Sequence, residues 1–261
     1  MLKIAIDPGH GLYTSGKRCL KSIDKNETRE WFLNDRIADK LEALLKKYDC
    51  KVLRVDDTSG NKDISLSNRC AAANNFKADV FISIHHNAGV NGGNGGGTQV
   101  YYYSTKPERV TQAKDLYNCI VNNTGLIGNR SEKVIYKGFH VLKHTNMPAF
   151  LIENGFMDSK ADVPIILKDT HAEGTAHGIV DFLLKDFDLK LAANTPVKNV
   201  SDEKIKVGDN VTVLNAITYD GKTFKTWHKS YKVISLVNDR AVIGVNGVIT
   251  AAINIKNIKK V

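Results

Sequence analysis

No apolar run in the 261-residue sequence reaches the ~18 residues of a membrane-crossing helix, so no stable membrane association is expected. The opening MLKIAIDPGHG lacks the charged stretch, long apolar segment and small-residue cleavage site of an export signal, which predicts synthesis and retention in the cytoplasm. Cysteine is sparse: Cys19, Cys50, Cys70 and Cys119 form no CxxC pair. That spacing excludes a disulfide framework and predicts free thiols in a reducing compartment. No basic run is interleaved with aromatics, so a base-stacking surface is excluded and no nucleic acid is expected as partner. The glycine-rich loop 89–97 has no Lys-Ser/Thr pair and no helix pattern after it, which argues against a phosphate cradle. It reads as a mobile loop beside a groove. Positive charge is what the chain has in excess: the net charge is +9 and the pI about 9.2, favouring an anionic partner.

The first 187 residues alternate between two periodicities. Lys3–Asp7, Lys51–Val55, Val80–Ile84, Thr98–Tyr103 and Phe150–Ile152 read as strands. Residues 29–47, 64–76, 107–123 and 171–186 read as helices. Apolar strands alternating with helices predict an α/β unit, with a mainly parallel sheet covered on both faces. Residues 188–206 are polar, include a proline and read as a linker. From residue 207 to 261 the chain is a series of short β runs separated by turn signals at 219–221 and 237–239. A small all-β barrel, SH3-like in size, is expected there. Residues 201–261 hold ten Lys/Arg against five Asp/Glu, so much of the basicity sits in this second module.

Ligands of parallel α/β sheets bind beyond the carboxyl ends of the strands. Those ends carry Asp7-Pro8-Gly9-His10-Gly11, His85-His86-Asn87 and Glu153-Asn154-Gly155. Two histidines and a carboxylate therefore converge on one edge. Glu30 falls within about 20° of Ile37 and Leu41 on the helix face turned to the sheet, whereas Glu27 lies roughly 60° away. A carboxylate on that face needs a cation or a partner. Two histidines, a carboxylate and water make a catalytic zinc site, and another carboxylate serves as general base. Each residue alone has a plainer reading as a structural histidine or a solvated acid; the joint pattern points to a metal hydrolase.

The segments DPGHG, Glu30 followed by Asn34, Arg69 to Phe81, SIHHNA and MPAFLIENGF resemble the zinc-dependent N-acetylmuramoyl-L-alanine amidases of the amidase-3 type, over about residues 1–187. The resemblance implies a zinc ion held by His10, Glu30 and His85, with Glu153 catalytic. It implies hydrolysis of the peptidoglycan amide between muramic acid and L-alanine. One departure stands out: the residue after the ligand histidine is usually small in the family, and here it is His86. His86, Asn87 and His144 are candidate substrate contacts, with His140 as the alternative to His144. His171 and His177 read as surface residues. Of the tyrosines at 101–103, one or two are expected in the groove.

The C-terminal module resembles the SH3-like wall-binding domains of phage and bacterial lysins, with Trp227 a candidate anchor. Together these features resemble a phage endolysin that waits in the host cytoplasm for a holin and then acts on peptidoglycan and its associated wall polymers. Two other readings stay open: a zinc peptidase cutting within the stem peptide, and a non-catalytic wall-binding protein.

Overall fold

The computed structural model describes residues 1–192, 205–226, 228 and 230–261. They form two compact units, which are taken separately.

The first unit runs β1 (Leu2–Pro8), α1 (Glu30–Leu45), β2 (Cys50–Arg54), α2 (Leu66–Phe76), β3 (Val80–Asn87), β4 (Thr98–Tyr102), α3 (Pro107–Thr124), β5 (Val134–Tyr136), α4 (His140–Lys143), β6 (Ala149–Phe156), α5 (Val163–Ile166) and α6 (Asp169–Asp186). Its six strands lie in the order β2-β1-β3-β6-β4-β5. β2, β1, β3 and β6 are mutually parallel, while β4 pairs antiparallel with β6 and carries β5 parallel to itself. The mostly parallel sheet is as read from the alternating pattern; β5 and the short helices α4 and α5 leave too few periodic residues to be read from sequence.

Alternation along the strands divides the core. Ile4, Ile6, Val80, Ile82, Ile84 and Ile152 pack under α1, α3 and α6. Ala5, Phe81 and Leu151 point the other way, against α2 and α4. Successive side chains on a strand face opposite sides, so each strand feeds both layers. β3 runs three residues and β6 four residues further than their apolar stretches, which places His85, His86 and Glu153 inside the strands, His85 opposite Glu153.

Residues 188–192 belong to this unit and not to a linker. Leu189 is buried in the main core, Asp49 donates its amide to the Lys190 carbonyl (2.7 Å), and Ala192 donates to Lys47 O (3.1 Å). The buried Leu189 and the backbone hydrogen bonds to residues 47 and 49 together dock it. Residues 193–204 of the expected linker, and Trp227, lie outside the described residues.

The second unit contains β7 (Asn210–Val213), β8 (Tyr231–Val237), β9 (Arg240–Val245), β10 (Val248–Asn254), a 3-10 turn at Ile255–Asn257, and β11 (Ile258–Lys260). All pairings are antiparallel, in the order β10-β9-β8-β7-β11. Val211, Tyr231, Val233, Ile243 and Ile253 form its core. Asn238 (φ 55°), Asn246 (φ 50°) and Gly247 (φ 80°) take the left-handed backbone that two-residue hairpin turns require. No helix among the described residues is long and apolar enough to cross a membrane.

Candidate active site

β1, β3 and β6 end side by side, and their final residues build the site. His10 follows β1 with φ 68°, in the left-handed region that favours glycine. What holds it there is Arg69 on α2. This buried guanidinium donates to Pro8 O (2.7 Å), His10 O (2.9 Å) and Asp7 Oδ1 (2.7 Å), while Ser83 donates to Asp7 Oδ2. A fully buried charge is tolerated because every donor finds a partner. Gly9 is glycine for a steric reason: a Cβ there would lie 2.0 Å from the His85 ring.

Glu30 is the first residue of α1, and its amide donates to Lys17 O (3.0 Å). Its carboxylate is 1% exposed and reaches both histidines, His85 Nδ1 at 3.0 Å and His10 Nε2 at 3.3 Å. Burial alone would push its pKa up; the two neighbouring imidazoles, His10 and His85, outweigh that and hold it well below the usual carboxylate range. One ligand atom from each of His10, Glu30 and His85 falls within 4.8 Å of the others. Glu30 Oε2 is buried without a well-formed hydrogen bond, meeting His10 and Lys17 Nζ (3.8 Å) only at ion-pair distance. A nitrogen–nitrogen–oxygen donor set around an under-satisfied buried carboxylate oxygen fits a zinc ion.

Glu153 on β6 stands opposite His85 in the β3–β6 register. Its Oε2 is buried without a hydrogen-bond partner. Burial pushes its pKa up, His85 lowers it and Glu30 raises it, for a net value of about 8. Two neighbouring carboxylates are thus driven in opposite directions by their surroundings, the pattern of an acid/base group beside a ligand.

Three cavities, of about 410, 330 and 300 Å³, meet at His85. The first runs past Asp63 and Arg69, the second past Phe139 and His140, the third past Lys17 and Asn87. Glu153 lines the second and third. Lys17, which also lines both, was invisible in the sequence: it lies in a 21-residue stretch between β1 and α1 with no periodic pattern.

The remaining sequence candidates divide. Asn87 lines the cavity beside Glu153 and donates to Gln99 Oε1 (3.2 Å). His144 does not line these cavities; it stacks on His140 (4.1 Å between rings), and His140 is the residue at the cavity wall. His86 lines the third cavity, but it is 2% exposed and its ring Nδ1 is taken by Asn34 (2.8 Å), so little of it faces that space. His171 is not a surface residue. It is buried, donates Nε2–H to Asn154 O (3.2 Å), and Asn154 in turn donates to His85 O (3.0 Å). His177 is exposed. Tyr101 packs on Phe139, and Tyr103 stacks on Tyr136 instead of entering the cavity.

The glycine loop also differs from expectation. Asp158 Oδ2 accepts the amides of Gly89 (2.9 Å), Val90 (2.8 Å) and Asn91 (2.7 Å), and Asp162 Oδ2 accepts Gly97 N (2.7 Å). Carboxylates of the protein itself occupy the anion-binding amides, so the loop is tied down at both ends. Gly97 approaches Gly128 so closely that a Cβ would sit 2.4 Å from its Cα.

Residues 4–185 match the Amidase_3 family, described as N-acetylmuramoyl-L-alanine amidase. The chain belongs to that family. The sporulation-specific N-acetylmuramoyl-L-alanine amidase of Bacillus subtilis (strain 168) is 33% identical over 215 residues, covering 82% of this chain and 79% of that protein. Among solved structures, the N-acetylmuramoyl-L-alanine amidase of Clostridium difficile 630 is similar with a TM-score of 0.64 at 32% identity, over 72% of this chain and 97% of its own. The catalytic domain of CwlV, from Bacillus (Paenibacillus) polymyxa var. colistinus, matches with a TM-score of 0.64 at 28% identity, over 73% and 100%. The family match falls within the first unit, so the Amidase_3 unit here is the one that carries His10, Glu30, His85 and Glu153.

Proposed function

We propose that this Amidase_3 chain is a zinc-dependent hydrolase that cuts the peptidoglycan amide between the lactyl group of muramic acid and L-alanine. The observation that carries the reading is Glu153, unpartnered and raised in pKa, opposite a buried His10–Glu30–His85 cluster at the meeting point of three cavities.

His10, Glu30 and His85 would hold the metal. The ion they would hold would supply Lewis acidity, lowering the pKa of a water and polarising the scissile carbonyl. Glu153 Oε2 takes the proton of the attacking water and returns it to the departing amine of L-alanine. A group with a pKa near 8 in the unloaded protein is poised to both accept and give a proton near neutral pH, and added positive charge nearby shifts it toward the accepting form. Lys17, which lines two of the cavities together with Glu153, would offer its ammonium to the carboxylate that hydrolysis releases on the lactyl group. Asn87, held by Gln99, and His140 border the path of the polymer.

The second unit is proposed as an SH3-like wall-binding module; its small antiparallel sheet and its excess of lysine support this reading. An amidase unit followed by a basic β module is the order of a phage endolysin. The proposed setting is therefore release from the host cytoplasm through a holin-opened membrane.

Wall lysis by wild type and Glu153→Gln, each with and without a chelator, tests the chemistry. Wild type should lyse, lose activity to the chelator and recover with zinc, while Glu153→Gln should bind zinc and fail to lyse. An unchanged rate for Glu153→Gln refutes the mechanism. Product analysis decides the bond: an amidase frees the N-terminus of L-alanine, a stem peptidase does not.

A further inference from the structure

Asn34, on α1, is fully buried and touches neither cavity nor cluster. Its partners are nonetheless the immediate neighbours of the cluster. It lies four residues, one helical turn, beyond Glu30 on the same face. Its Nδ2 donates to Gly9 O (3.2 Å), the residue before His10. Its Oδ1 accepts from His86 Nδ1 (2.8 Å), the residue after His85. The amide orientation follows from these contacts, because only Nδ2 can donate to a carbonyl, and that leaves Oδ1 for His86. The His86 ring is thereby fixed as the Nδ1–H tautomer. The His86 backbone amide closes the circuit by donating to Glu30 Oε1 (3.2 Å).

We infer that Asn34 and His86 form a positioning clasp that sets the spacing of His10, Glu30 and His85 and so tunes their affinity for the metal. This rests on the zinc reading above. The β1–β3 ladder, continued by Gly9 N–H to Ile84 O (2.9 Å), sets the spacing of His10 and His85, but Glu30 comes from α1, whose position against the two strand ends that ladder does not fix. Asn34 ties all three elements within one residue or one turn of each ligand. A small residue after His85 would leave Asn34 Oδ1 without this donor; the imidazole reaches across the gap that such a residue leaves and supplies it. The ring sits against His171, 6.5 Å between centroids, with its Nδ1 taken by Asn34 and only 2% of the residue exposed. Its role is therefore to hold, not to react.

The test is zinc affinity of the full chain, read by competition with a chromophoric chelator, together with the melting temperature of each metal-free protein. Partners that orient metal ligands typically change metal affinity by about 10–100-fold. Asn34→Ala should raise the zinc dissociation constant by about that range, and His86→Ala by about tenfold. His86→Gln, whose amide can donate to Asn34, should recover most of the loss. The double variant should bind no worse than Asn34→Ala alone, because the two act as one device. Wild-type affinity in the folded single variants overturns the clasp, and so do effects that multiply in the double variant. If Asn34→Ala does not fold, His86→Ala against His86→Gln decides. A wild-type chain that binds no zinc overturns the zinc reading and the clasp together; a loss confined to the variants supports the clasp.

Discussion

His85 and His86 are neighbours in sequence and belong to different chemistries. One faces the α2 side of the sheet, where three cavities meet; the other faces the α1 side, where the core is closed. On the first side the polar groups are Glu30, Glu153 and Lys17, which line one cavity together. On the second they are neutral imidazoles, each held through one ring nitrogen while the other is buried without a partner: His86 by Asn34, His171 by Asn154. Burial lowers the pKa of His86 to about 3, helped by the nearby His171, and lowers that of His171 to about 4. The same residue type thus faces the proposed metal site or braces the core according to which layer covers it.

The comparison breaks most visibly on the open side. Glu153→Gln removes the proton acceptor while keeping the shape, so the rate of wall lysis should fall by about 10²–10⁴-fold, with zinc content unchanged. Gly9→Ala pushes a methyl into the His85 ring, and overpacking of this kind costs about 1–3 kcal/mol. Urea unfolding should show that loss, and zinc titration a weakened site.

The smallest effect belongs to the closed side. His86 and His171 are held neutral in the folded state, while in the unfolded chain they titrate near their ordinary pKa of 6.5. The unfolded state therefore binds more protons below pH 6.5, and stability falls as pH drops from 6.5 toward about 4. Each histidine contributes a slope of up to about 1.4 kcal/mol per pH unit. His171→Gln should remove one such contribution, which urea unfolding at pH 7, 6 and 5 would show as a shallower dependence. An unchanged slope would mean that His171 is not buried neutral.

Much of the site was legible because strands end where chemistry begins. DPGH at the end of β1, the histidines near the end of β3 and Glu153 inside β6 each sit beside an apolar run, and a 3.6-residue period singled out Glu30 over Glu27. The groups missed were those whose role depends on a distant partner. His171 looked solvated because its helix pattern shows only local spacing; the residue it holds, Asn154, is 17 positions earlier. Asp158 carried no signal at all, yet it accepts three loop amides 67–69 positions away and turns an apparently mobile loop into a tethered one. His140 and His144 were indistinguishable by sequence; one turn of α4 puts the first at the cavity wall and the second behind it.

By itself, the sequence determined the α/β alternation, the β character of the second module and the set of residues able to bind a metal, because periodicity and residue chemistry are local properties. Only the tertiary structure decided what covers each face of β3. It made His85 a cavity residue and His86 a buried strut, put Lys17 beside Glu153, and left Glu153 without a partner. Those outcomes depend on burial and on contacts between elements far apart in the chain, and burial sets both the charge a group carries and the work it can do.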